Sequence, residues 1–224
     1  MNTLGAHEVM ELHEVMNDAI HGLNTLQLFR PHAKDPQLQT MVNNHLHACT
    51  MEYNNLVQMA HQLGASEAMP ARTQKTLPDM RMNSADMSFQ PLYGLRNPQT
   101  QTPAQSSEQI DDMDVALCLI TCHKQTAALK MKATLEMANP TLRQFMQTCA
   151  NKSADMAYEG FQYANQKGYY QIPTLKDTTM NTYMHSYGTA PTMGNLGNLG
   201  NMGNMGNMGN MGSMGNQQSG QQYM

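Results

Sequence analysis

Seven of the nine histidines lie in the first 61 positions, and their spacing to one another and to nearby cysteine and carboxylate side chains decides whether they could hold a metal. His7 and His13, in the repeated "HEVM", are six apart, about 240° around a helix, so they cannot share a ligand site. His45 and His47 are about 200° apart and face opposite ways. One set does share a face: His45, Cys49 and Glu52 stand at i, i+4 and i+7. With Cys149 from a later helix, His45 and Cys49 could offer a soft-metal site. The competing reading is a structural polar core, in which Glu52 or His45 satisfies the ammonium of Lys124, a lysine in the middle of an apolar stripe. That structural pair is the preferred reading, and no resident metal, cofactor or catalytic residue is assigned.

A di-iron centre would need an inward Glu from each of two helices and Glu-x-x-His from the other two. No Glu is followed by His three residues later, and the nearest match, Asp18 with His21, points away from the Leu12/Met16/Leu23 stripe. Glu11 and Glu14 also point away, and Glu8 only flanks that stripe. No nucleophile–base pair or phosphate loop can be read. The four cysteines contain no C-x-x-C; Cys118 and Cys122 share a helix face and read as small packed side chains or as cross-linking thiols.

The elements that must carry these residues are helices. Val9, Leu12, Met16, Ala19, Leu23 and Leu26 step by three and four, predicting a helix over 6–30 that Pro31 closes. Asp35-Pro36 opens a second, with Val42, Leu46, Cys49, Tyr53, Leu56, Ala60 and Leu63 on one stripe and Gly64 as its stop. These two form an amino-terminal hairpin, residues 1–64. Residues 65–105 are punctuated by five prolines, and a connection this long suits a crossover between parallel second and third helices, the ferritin-like topology; two separate hairpins on a linker are the alternative. A third helix is expected from near Ser106, capped with Gln109, its stripe running Ile110, Met113, Leu117, Ile120, Lys124, Ala128, Met131 and Leu135. After "ANPTLR", with Asn139 as cap and Pro140 in the first turn, a fourth helix ends before Gly168. Residues 106–170 form the second hairpin, and the two hairpins make one all-α four-helix bundle.

Only 13% of residues are charged, the formal net charge is −4 and no basic block occurs, which argues against nucleic acid as a partner. No run reaches about 18 apolar residues and the start lacks a basic-then-apolar signal pattern, so the expectation is a soluble chain kept on the cytoplasmic side, without membrane insertion.

The stretch from Asp114 to Tyr170 resembles the spore coat protein F family of endospore-forming Firmicutes. The resemblance rests on Asp114, Lys124, Glu136, the "NPTLR" turn with Asn139, Pro140 and Arg143, and the closing Lys167-Gly168-Tyr169-Tyr170. The amino-terminal "HEVMELHEVMNDAIHGLNTLQLFRPHAKDPQLQ" is similar to the front half of such proteins. The resemblance implies a ferritin-like bundle acting as a structural spore coat component, made in the mother cell, with other coat proteins as partners. A homo-oligomer is also expected, and the alternative functions are a metal- or redox-handling bundle or an adaptor for another coat protein. The resemblance implies no catalytic residues. A coat-associated group similar to manganese catalase does carry metal ligands, but its carboxylates and Glu-x-x-His pairs are missing here.

Residues 171–224 form a tail. From Thr178 onward there is no Asp, Glu, Lys or Arg, and residues 193–216 are eight triplets with glycine second. Glycine without proline raises the cost of ordering, so the isolated repeat is expected to be disordered. Methionine at every third position from Met202 to Met214 offers thioethers that bind Cu(I) weakly, or apolar side chains that pack between chains.

Overall fold

The computed structural model describes residues 4–63, 88–98 and 102–190. The glycine-repeat tail and most of the 65–105 connection lie outside the described residues. The described residues fall into two units, one within residues 1–174 and one within 175–224.

The first unit is built on four helices: α1 (Ala6–Phe29), α2 (Pro36–Leu63), α3 (Asp112–Glu136) and α4 (Pro140–Gln166). Their boundaries follow local chemistry. A 3-10 turn at Arg30–His32, carrying Pro31, ends α1. Asp35 accepts from Gln37 N and Leu38 N to start α2, and Asn139 accepts from Thr141 N and Leu142 N to start α4. The cap of α3 departs from expectation. Gln109 accepts from Gln105 N and belongs to a 3-10 turn, Ser107–Gln109. The helix starts later, where Asp111 accepts from Met113 N and Asp114 N and Asp114 accepts from Asp111 N in return.

Side-chain bonds fix the helix directions. Between α1 and α3, Glu11 meets Lys132 and Asp18 meets Thr126, so numbering falls along one as it rises along the other. Between α2 and α3, Asp112 accepts from Lys34 N, His45 meets His123 and Glu52 meets Lys130, an almost constant offset that requires parallel helices. This is the ferritin-like arrangement of an all-α bundle, with α3 packed most extensively on α4.

Two apolar clusters fill the bundle. One gathers Leu26, Leu38, Val42, Leu46, Leu119, Ile120 and Tyr163; the other gathers Leu12, Val15, Leu56, Ala133, Leu142 and Met146. Each fully buried Leu or Val contributes about 1.5–3 kcal/mol. α3 and α4 approach closely: a Cβ at Gly160 would lie 3.0 Å from Ile120 Cγ1.

The phase of α3 corrects the sequence reading. Its buried residues are Val115, Ala116, Leu119, Ile120, His123, Lys130, Ala133 and Thr134, while Lys124 and Leu135 lie exposed and Met131 is 38% exposed. "VALCLI" is apolar all round and cannot define which side faces inward, and the polar His123 and Lys130 conceal the true core face. Among the described residues of the second unit, α5 (Asp177–Met184) is a two-turn helix with no buried residue.

Candidate functional site: a polar waist and a family-motif clamp

Between the apolar clusters lies a waist of buried polar groups. His45 and Glu52 on α2 are seven residues apart, as are His123 and Lys130 on α3, so parallel helices meet in two layers about 10.5 Å apart. In the first layer His45 Nδ1 lies 3.1 Å from His123 Nε2, and His45 Nε2 lies 2.8 Å from Glu159 Oε2 on α4. The rings meet edge to face, centroids 4.8 Å apart. Burial, and then the nearby His45 and Lys130, push the His123 pKa well below the usual imidazole value. In the second layer the Lys130 ammonium pairs with Glu52 and donates to Ser153 Oγ at 2.9 Å.

The expected partner of Glu52, Lys124, is therefore replaced by Lys130. Lys124 lies on the surface, its Nζ 3.4 Å from the Tyr170 hydroxyl and 4.9 Å from the ring centre. His45 and Glu52 are buried as expected, though in separate layers. The soft-metal grouping of His45, Cys49 and Cys149 is not assembled: both His45 nitrogens are engaged, and burial pushes Cys49 and Cys149 up to about 12, keeping them as thiols. Among the described residues no three His, Cys, Asp or Glu side chains converge on a metal position.

A second polar assembly closes one end of the bundle. At Gly168 the backbone takes φ +79°, and Tyr169 N and Tyr170 N both donate to Ala164 O, ending α4. Fully buried Asn165 then ties this turn to the returning connection. Its Oδ1 accepts from Leu92 N (2.8 Å), and its Nδ2 donates to Leu92 O (3.1 Å) and Tyr170 O (2.9 Å). Arg96 Nη2 donates to Asn165 O, and Gly94 N donates to Ile172 O. Lys167 pairs with Asp35 on α2 at 2.7 Å and holds its carboxyl below the usual range.

The family-motif residues are mostly caps and turns. Asp114 completes the α3 cap; Asn139 caps α4, Pro140 occupies its first turn, and Arg143 Nη1 donates to Thr134 O at 2.6 Å. Glu136 is exposed at the end of α3. Glu8, read as a flanking residue, is buried and accepts from Gly5 N, Ala138 N and Asn139 N; these bonds, led by Asn139 N, hold its carboxyl down. Sequence reasoning also missed Asn165, Glu159 and Ser153. The usable signal was the matching seven-residue interval of His45/Glu52 and His123/Lys130.

A parallel-crossover four-helix bundle with an internally paired waist and a motif-built clamp defines a ferritin-like helical protein. Residues 111–173, from the α3 cap through the clamp, match the Coat F domain. The chain is 28% identical over 195 residues to the spore coat protein F-like protein YhcQ of Bacillus subtilis (strain 168), covering 85% of each chain. A spore coat protein candidate from Bacillus halodurans C-125 has a solved structure similar to this bundle. Its TM-score is 0.55 and its identity 12%, over 78% of this chain and 96% of that one. Among the described residues no helix is long and apolar enough to cross a membrane.

Proposed function

We propose that the protein is a structural, non-catalytic component of the spore coat, made in the mother cell, that assembles with other coat proteins and with its own copies. The observation that carries this reading is the waist. His45, His123 and Glu159 bond to one another, as do Glu52, Lys130 and Ser153, so the most polar part of the core is spent on holding helices together. The match of residues 111–173 to the Coat F domain and the likeness to a spore coat protein F-like protein support the location. The uncharged repeat after residue 190 is the proposed adhesive extension, since without charge its copies do not repel one another.

The test is to follow the tagged full chain, and the same chain lacking residues 191–224, through sporulation. The full chain is expected in the coat fraction, with the shortened chain incorporated less efficiently and self-associating less in solution. Full-chain protein recovered only from the mother-cell supernatant would overturn the coat assignment. Equal incorporation and association of both forms would overturn the role of the tail.

A further inference from the structure

Two sulfurs lie outside both the waist and the clamp. Cys118 Sγ and Cys122 Sγ are 3.9 Å apart on successive turns of α3, and both residues are partly exposed. The side of α3 they occupy faces α1. From the Asp18–Thr126 bond, four residues forward along α1 and four back along α3 bring Gly22 opposite Cys122. A Cβ at Gly22 would meet nothing within 4 Å, so the helix facing the thiols leaves room beside them. Asp18 on α1 and the Cys49 thiol on α2 both lie near enough to interact with Cys122.

We propose that Cys118 and Cys122 form a two-thiolate clip for a soft monovalent cation, Cu(I), whose third coordination position opens into the space at Gly22. Two points support this. With metal–sulfur bonds of about 2.3 Å, sulfurs 3.9 Å apart subtend roughly 116° at the metal, close to a trigonal angle. Thiolates select soft ions, and Zn(II) in a structural site asks for four ligands where the described residues offer no group of three. Binding breaks two S–H bonds, forms two S–Cu bonds and releases two protons without electron transfer, so affinity increases with pH. The clip is independent of the coat role and of the tail thioethers.

The experiment titrates the full chain, without oxygen, against the Cu(I)–bicinchoninate complex. Wild type is expected to withdraw one Cu(I) more per chain than Cys118→Ser/Cys122→Ser, and each single substitution to lose that ion, with helicity by circular dichroism unchanged. A thiolate-to-copper charge-transfer band in the near ultraviolet should accompany the ion in wild type. Equal uptake by wild type and the folded double variant would assign any copper to the methionine tail and overturn the clip. Absence of the charge-transfer band in wild type would do the same even if the variants failed to fold.

Discussion

The waist and the clamp solve different problems with the same kind of atoms. In the waist, side chains bond to side chains across three helices: His45 to His123 and Glu159, Lys130 to Glu52 and Ser153. In the clamp, side chains bond to backbone: Asn165 to Leu92 and Tyr170, Arg96 to Asn165, with Asp111, Asn139 and Arg143 doing likewise at other helix ends. A backbone bond fixes the path of the chain and is indifferent to which helix lies opposite. A side-chain pair in the core fixes which residue stands beside which. The family-motif residues fall mostly in the first group and the waist in the second, so the motif records the turns of the fold and the waist records its register.

The largest effect should come from halving a waist pair. Lys130→Met leaves Glu52 buried without its ammonium and should cost about 3–5 kcal/mol in denaturant unfolding. Adding Glu52→Leu should restore most of that loss, because an apolar pair of similar volume tolerates the site. Failure of the double variant to recover would mean the charges contribute more than register.

In the clamp, Asn165→Ala removes three bonds from a fully buried side chain and strands Leu92 N and O at the bundle end. Unsatisfied groups of this kind cost about 1–3 kcal/mol each when buried, but the 88–98 segment lies near water. The expected loss is about 2 kcal/mol, with amide exchange accelerated around residues 88–98 and little changed at 45–52. Uniform acceleration through the waist would show that the two regions unfold as one.

Acid should divide the regions again. His123 has its pKa lowered by folding, so its stabilisation is complete above the unfolded value near 6.5 and is lost as pH falls from there toward the folded value. Glu8 is lowered as well, from 4.5, so its contribution disappears only below about that pH. The melting temperature should begin to fall between pH 7 and 6, and His123→Phe should remove that first decline while keeping the one below pH 4.5. A flat profile from pH 7 to 5 in wild type would contradict the buried neutral imidazole.

How much of this could be read beforehand follows from what periodicity measures. Leu12, Leu46, Leu56 and Leu142 sit where their spacing put them, and Pro31, Asp35, Asn139 and Gly168 mark true helix ends because caps and turns are local chemistry. The phase of α3 was lost because Val115–Ile120 is apolar on every side and Lys130, the true inward charge, has the same residue type as exposed Lys124. Asn165 and Glu8 were hidden for another reason: besides one local bond each, they hold backbone groups 73 and 130 or more residues away in sequence, and no residue pattern encodes those. The smallest predicted effect follows directly. Lys124→Met loses only a surface contact with Tyr170 and should move the melting temperature by less than about 3 °C.

The central claim is that the waist holds a coat component together and does nothing else. It is tested most directly by replacing the wild-type chain in sporulating cells with Glu52→Leu/Lys130→Met, after confirming that the purified variant melts within a few degrees of wild type. The account predicts wild-type incorporation into the coat and unchanged spore resistance. A variant that folds and enters the coat but leaves spores measurably defective would contradict it, because the buried charges would then have a task beyond alignment.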